Sequence, residues 1–250
     1  MTPQSGSRPV LSVVIPAYNE EARIGPSIAA ILAYLRSRAL SFEIIVVDDG
    51  SRDATRARAA AELRGGPGGR IIGRPENRGK GCSVREGVLA ASGTFILITD
   101  ADLSTPIEEL EKFWPFIKAG NDIVIGSRAL PESDIQVRQS RVRRLMGKTF
   151  NVFVRALLMR GIRDTQCGFK LFRREAARSV FSCLETRGFC FDVEALFRAR
   201  ALDFRIAQVP VVWRNSPPSK VRLARSSARM LAELWDIRRR RKKISEPRDG

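Results

Sequence analysis

The chain has 250 residues, 44% of them hydrophobic, enough for one large α/β domain with a sizeable core. Lys and Arg total 44 against 27 Asp and Glu, a formal net charge of +17, and there is no histidine. The missing histidine excludes Ser-His-Asp and Cys-His nucleophiles and His-ligated zinc.

The first elements alternate strand and helix. Val10 to Pro16 is a short run rich in β-branched residues, read as a buried strand. Glu20 to Ser37 has helical spacing, with Ile24, Ile28, Ile31, Leu32 and Leu35 on one face. Phe42 to Val47 is a second buried strand, ending in Asp48-Asp49-Gly50-Ser51, and Asp53 is placed to cap a helix through Leu63. After a Gly-rich loop at 65–69 come a strand at Ile71-Ile72, a helix from Lys80 to Ala91, a strand from Thr94 to Thr99, a helix from Ile107 to Lys118 and a strand from Asp122 to Gly126. This order predicts a Rossmann-like, mostly parallel sheet with helices on both faces. Ligands gather beyond the carboxyl ends of such strands. Pro16–Glu20, Asp48–Ser51, Asp100–Asp102 and Gly126–Arg128 all follow predicted strands, so four polar clusters converge on one edge.

Beyond Arg128 the pattern changes to a basic and apolar segment at 139–160. A strand at 167–173, a helix at 192–202, a strand at 205–213 and a basic amphipathic helix at 221–243 follow. Residues 1–125 hold 15 basic and 15 acidic side chains, whereas residues 126–250 hold 29 and 12. A neutral half with an acidic motif joined to a basic half implies a metal-bound substrate on one side and an anionic partner on the other. The four cysteines form no CxxC pair and are expected to be reduced. No segment reaches the roughly 20 apolar residues of a membrane span, and residues 1–9 carry no signal-peptide pattern. The expectation is a cytoplasmic protein lying on the cytoplasmic face of a membrane.

Asp100-Ala101-Asp102, directly after a strand, is the sharpest chemical signal. Two carboxylates there can turn toward one Mg²⁺ or Mn²⁺, which needs few protein ligands when substrate phosphates supply the rest. Asp48 and Asp49 can meet ribose hydroxyls or a base edge. Tyr18 can stack on a base and Glu20 can accept from its N–H groups. Lys80, in Asn77-Arg78-Gly79-Lys80-Gly81 at a helix N-terminus, suits an anion. The sequence lacks GxxxxGK[ST], so it is not a P-loop NTPase.

IPAYNEE, VVDDGS, NRGKG and DAD, in this order, resemble the family 2 glycosyltransferases with the GT-A fold. DTQCGFKLF at 164–172, FDVE at 191–194 and VPVVW at 209–213 resemble the dolichyl-phosphate (polyprenyl-phosphate) β-glucosyltransferases, relatives of the dolichyl-phosphate mannose synthases. The likeness runs from about Val10 to Lys220. It implies a nucleotide-sugar half (10–128), an acceptor half (129–220) and a basic helix and tail (221–250). It also implies inverting transfer of a hexose, glucose from UDP-glucose, to a lipid phosphate. By position, Pro16, Tyr18, Glu20, Asp48, Asp49, Lys80, Asp100, Gln166 and Asp192 would serve the nucleotide-sugar. Asp100 and Asp102 would hold the metal, and Asp102, Arg128, Arg143 and Lys170 would carry the transfer. Ser104 and Gly147 stand where the mannose synthases have a metal-binding Gln and a Ser near the acceptor phosphate, and Lys170 replaces their Arg.

An ionised phosphate acceptor needs cations more than a general base, which suits a chain without histidine. Asp192 and Glu194 could alternatively bind sugar hydroxyls, or Asp192 could cap its helix. Met146, Phe150, Phe153, Val154, Leu157 and Leu158, flanked by basic residues, read as an interfacial helix. Leu231, Leu234, Trp235 and Ile237 before Arg238–Lys243 read as a second contact to an anionic membrane surface. The alternatives are a GDP-mannose or other donor, a soluble or polysaccharide acceptor, and a non-catalytic regulator, which the intact DAD opposes. A nucleic-acid-binding role, raised by the pI near 11, lacks any RNP, zinc-finger or helix-turn-helix pattern.

Overall fold

The computed structural model describes residues 8–64, 68–136, 153–154, 158–159, 161–214 and 223–240, with the backbone alone for 223–229. The N-terminal part is strand β1 (Leu11–Ala17), helix α1 (Ile24–Ser37), β2 (Phe42–Asp48), α2 (Thr55–Leu63), β3 (Gly69–Gly73), α3 (Lys80–Ala90) and β4 (Phe95–Ile98). A 3₁₀ helix (Ile107–Lys112), α4 (Trp114–Lys118), β5 (Ile123–Ser127) and β6 (Asp134–Ile135) follow. The chain then gives β7 (Lys170–Arg173), α5 (Arg174–Ser182), α6 (Phe191–Ala201), β8 (Ile206–Pro210), β9 (Val212–Trp213) and α7 (Leu223–Arg239).

Seven strands form one sheet in the order β3-β2-β1-β4-β7-β5-β8. All run parallel except β7, which lies antiparallel between β4 and β5. The expected mostly parallel α/β sheet is therefore present, and the single reversed strand is a feature that local periodicity does not reveal. Side-chain alternation splits each strand between two cores. Leu11, Val13 and Ile15 of β1 join Ile24, Ile28, Ile31 and Leu35 of α1 on one face. Val14 joins Val84 and Val88 of α3 and Val180 and Phe181 of α5 on the other. The four α1 residues have no exposed surface, and each such side chain contributes about 2 kcal/mol by leaving water. Gly87 lets α3 press against the sheet, because a Cβ there would lie 2.4 Å from a Val14 methyl.

Two expected elements are broken by proline. The helix expected at Ile107–Lys118 is a 3₁₀ turn followed by the short α4, since Pro115 has no N–H to continue an α-helical ladder. The strand expected at 205–213 is divided: β8 ends at Pro210, the Val211 N–H still donates to the Ser127 carbonyl of β5, and β9 pairs with β6 instead of the main sheet.

Candidate active site

β1, β2, β4 and β5 end at one edge of the sheet, and their following loops carry the four polar clusters read from the sequence. Pro16 is buried within β1, and Tyr18, just beyond it, is 42% exposed. Asn19 takes a left-handed backbone, φ 53°, and its N–H donates to the Ser51 hydroxyl. The Glu20 N–H donates to Thr55 Oγ1 at 2.7 Å, and the Ala54 N–H donates to the Glu21 carboxylate at 3.0 Å. The β1 and β2 loops are thus stitched together by backbone amides. Glu20 itself pairs with Arg23, whose guanidinium also lies 3.7 Å from Asp102.

The acidic pair after β2 divides its work. Asp48 accepts from the Ser51 N–H at 3.1 Å. Asp49 receives the N–H groups of Arg78 and Gly79 at 2.9 and 2.8 Å and the Arg74 guanidinium at 3.1 Å. Asp49 therefore builds the loop that presents Lys80. Asp53 stands two residues ahead of α2 and accepts from the Thr55 N–H at 3.0 Å, so it serves that helix start from just outside the cap position.

Lys80 opens α3, and its ammonium lies 2.6 Å from Asp100 Oδ1. Burial disfavours the Lys80 charge, but Asp100, Asp192 and Asp102 outweigh that and raise its pKa. Burial likewise disfavours the Asp100 charge; Lys80, Lys170 and Arg128 reverse the balance and hold its carboxyl below the usual range. The backbone behind this pair has no spare room. A Cβ on Gly168 would fall 2.2 Å from Asp100 Oδ2, and a Cβ on Gly81 would fall 2.3 Å from the Thr186 carbonyl. The Gly81 N–H donates to the Arg187 carbonyl at 2.8 Å.

On the other side of Asp100 the charges are paired side chain to side chain. Arg128 forks onto Asp164, Nε to Oδ2 at 2.7 Å and Nη2 to Oδ1 at 3.0 Å, and its guanidinium lies over the Trp213 ring at 5.6 Å. Burial opposes the Asp164 charge, yet Arg128 and then Lys170 bring its pKa down to about 2. Burial also opposes the Arg128 charge, and Asp164 more than compensates, raising its pKa. Lys170, buried, donates to Asp192 Oδ1 at 2.5 Å and to the Cys167 carbonyl at 2.5 Å. Burial raises the Asp192 pKa even though Lys170 and Lys80 pull it down. Gln166 is half-buried in the same loop, its N–H on Asp164.

Asp192 neither caps α6 nor stands open, because Lys170 occupies it. Glu194 is fully buried, bound by the Glu185 and Thr186 N–H groups and by Arg198, so its expected access to a sugar is corrected by the geometry. Arg143, Gly147 and most of the expected interfacial helix lie outside the described residues. The contribution of Asp164 was not anticipated. The signal available was a strand-end arginine that would need a counter-charge, with an aspartate in the DTQCGFKLF segment to supply it.

Asp100 and Asp102 offer two hard carboxylates, and Asp102 uses Oδ1 to accept from the Ser104 N–H at 3.0 Å. Among the described residues no three His, Cys, Asp or Glu side chains gather as a metal cage. Two carboxylates with a cation already drawn to one of them fit Mg²⁺ or Mn²⁺, provided a diphosphate completes the shell.

Residues 12–181 match the model of glycosyl transferase family 2. The dolichyl-phosphate beta-glucosyltransferase of Homo sapiens is 40% identical over 227 residues, covering 84% of this chain and 69% of the relative. The same-named protein of Dictyostelium discoideum is 36% identical over 240 residues, covering 91% and 73%. The glucosyl-3-phosphoglycerate synthase of Mycobacterium tuberculosis, solved with Mn²⁺, uridine diphosphate and glucosyl-3-phosphoglycerate, superposes with a TM-score of 0.67. It is 25% identical and covers 97% of this chain and 82% of its own.

Proposed function

The chain belongs to glycosyl transferase family 2, and from that premise we propose that it transfers glucose from UDP-glucose to the phosphate of dolichyl phosphate. The observation that carries this reading is the setting of Asp100. It follows β4 at the ligand edge of the sheet, contacts Lys80, and lies in the field of both Lys170 and Arg128. A donor diphosphate and an acceptor phosphate are both anions, and this arrangement brings a carboxylate pair and three cations to one place.

Tyr18, with Pro16, Glu20 and Asp48 around it, offers the surface for the uridine. Asp100 and Asp102 would hold Mg²⁺ or Mn²⁺, which would offset the charge developing on the departing UDP. Lys80 sits where it can pass from Asp100 to the diphosphate. The nucleophile is a phosphate monoester oxygen, ionised near neutral pH because its second pKa is about 6. Arg128 and Lys170, together with Arg143 from the family resemblance, would orient that oxygen opposite the leaving group. Gln166 and Asp192 stand beside them. Most of the rate then comes from positioning and charge complementarity, without a general base.

The test is transfer from labelled UDP-glucose and GDP-mannose to dolichyl phosphate in detergent, with and without Mg²⁺ or Mn²⁺. We expect glucosyl lipid only from UDP-glucose and only with metal, and a fall of roughly 10³ in Asp102→Asn. Mannosyl lipid, or UDP release without labelled lipid, overturns the donor or the acceptor assignment respectively.

A further inference from the structure

Among the described residues no helix is long and apolar enough to cross a membrane. Four large exposed apolar side chains nevertheless border one small core. Val154, Cys190, Val193, Leu234 and Ile237 form a small core separate from the two sheet faces. Phe153 precedes Val154 and is 46% exposed; Phe189 precedes Cys190 and is 42% exposed. On α7, Leu231 and Trp235 are 46% and 52% exposed while Leu234 between them is buried. Three segments distant in sequence thus each turn one residue inward to this core and an adjacent large apolar residue outward.

The charge at the α7 end of this rim is mainly basic, with the exposed Asp236 as an acidic side chain among the arginines. The guanidinium groups of Arg238 and Arg239 lie 5.9 and 5.8 Å from the Trp235 ring centroid, and Arg241, Lys242 and Lys243 follow in the sequence. Arg240 departs from the basic run. It turns inward to Glu185 at 2.8 Å and is not part of the outer surface.

The rim is also continuous with the active site. Glu233 receives the Cys190 N–H at 3.1 Å and packs against Gly188 so closely that a Cβ would lie 1.9 Å from its Oε1. The segment held in this way, 185–190, is the one whose Arg187 carbonyl receives the Gly81 N–H beside Lys80.

We infer that Phe153, Phe189, Leu231 and Trp235, with Arg238 and Arg239, form a docking surface for an anionic lipid bilayer. Aromatic and aliphatic side chains ringed by arginines suit the boundary between headgroups and acyl chains. Placed against the loop that supports Lys80, the surface brings a membrane-embedded acceptor to the donor site. In that respect the inference rests on the lipid-phosphate reading given above.

The test is flotation of the full chain with phosphatidylcholine vesicles and with vesicles containing about one third phosphatidylglycerol, alongside glucosyl transfer in detergent and on the same vesicles. The expected result is binding to anionic vesicles that weakens with salt, and at least a tenfold loss of binding in Leu231→Ser/Trp235→Ser with transfer in detergent kept. Arg238→Glu/Arg239→Glu provides a second variant that leaves the apolar residues in place, and it should lose the preference for anionic lipid. Wild type that fails to bind anionic vesicles while transferring glucose in detergent overturns the surface and spares the proposed function. Vesicle binding without any glucosyl transfer does the reverse. A concentration-dependent dimer broken by Leu231→Ser/Trp235→Ser, with vesicle binding unchanged, would assign the surface to a second copy of the chain and also overturn the inference.

Discussion

The two sides of Asp100 are built differently. On the nucleotide side, carboxylates mainly hold backbone amides: Glu21 takes Ala54, Asp48 takes Ser51, Asp49 takes Arg78 and Gly79, and Asp102 takes Ser104. On the acceptor side they mainly hold cations: Asp164 takes Arg128 and Asp192 takes Lys170. Asp48 and Asp102 take amides of nearby chain, whereas Glu21 and Asp49 tie their loops to distant ones, and in each case the amide donor is neutral. Cation-held carboxylates bring two charges together, and in the Lys170–Asp192 pair both have left water to meet. In the proposed function, the first arrangement would be a fixed nest for the nucleotide. The second would hold cations for an incoming phosphate to share.

Removing one cation breaks the acceptor side most sharply. Lys170→Met leaves Asp192 buried without its partner, and we expect a loss of about 3 kcal/mol in urea unfolding at pH 7. The sign with pH is fixed. Asp192 already has a raised pKa, and without Lys170 it rises further, so the folded variant binds more protons than the unfolded chain. The deficit should therefore narrow as the pH falls toward 5. Lys170→Met/Asp192→Asn should recover most of the loss, which a double-mutant cycle would measure. A deficit that does not depend on pH would mean that Lys170 contributes packing and not charge.

Gly168→Ala tests the seam between the two sides. Its Cβ would meet Asp100 at 2.2 Å, so Asp100 must move away from its position beside Lys80. We expect roughly a hundredfold lower transfer, since misplacement by about 1 Å costs that much. The melting temperature should change far less than in Lys170→Met. A fully active Gly168→Ala enzyme would show that the position of Asp100 is not critical.

Asp164 gives the opposite pH sign to Asp192. Its folded pKa of about 2 lies below the ordinary value of 3.8. Its stabilisation is therefore complete above the ordinary value and is lost as the pH falls toward 2. Almost entirely buried, it is worth about 2 kcal/mol at neutral pH. Asp164→Asn should flatten the stability profile between pH 4 and 2, measured by urea midpoints, and leave the slope above pH 5 unchanged.

The same contrast explains what could be read from the residues. The strand-end clusters are contiguous in sequence, and the parallel arrangement of β1, β2, β4 and β5 carries them to one edge without further information. The reversed strand β7 cannot be seen that way, because its place between β4 and β5 depends on pairings across more than 40 residues. Asp164 itself, and the pairing of Lys170 with Asp192, were hidden for a similar reason: each depends on a residue 36 or 22 positions away. The C-terminal helix shows the limit of composition. Leu231, Leu234, Trp235 and Ile237 look alike in the sequence, yet two face inward and two outward. The basic excess follows the same division. Residues 137–160 contain seven basic residues and no acidic one, whereas the basic residues found beside Asp100 are paired.

The smallest effect bears on the nucleotide side alone. Glu21 belongs to the same run as Tyr18 and Glu20, and it invites a role in nucleotide contact. Its carboxylate instead receives the Ala54 N–H at the start of α2, while Asn19 and Glu20 bond to Ser51 and Thr55 beside it. Removing one such contact costs about 1 kcal/mol, so Glu21→Ala should lower the melting temperature by roughly 2–4 °C for a chain of this size. The KM for UDP-glucose should stay within about twofold, because Asn19, Ser51 and Thr55 still join the two loops. A large rise in KM at unchanged stability would place Glu21 against the nucleotide. The amide-held side would then depend on a ligand-facing carboxylate, as the acceptor side depends on its cations, and the contrast between them would weaken.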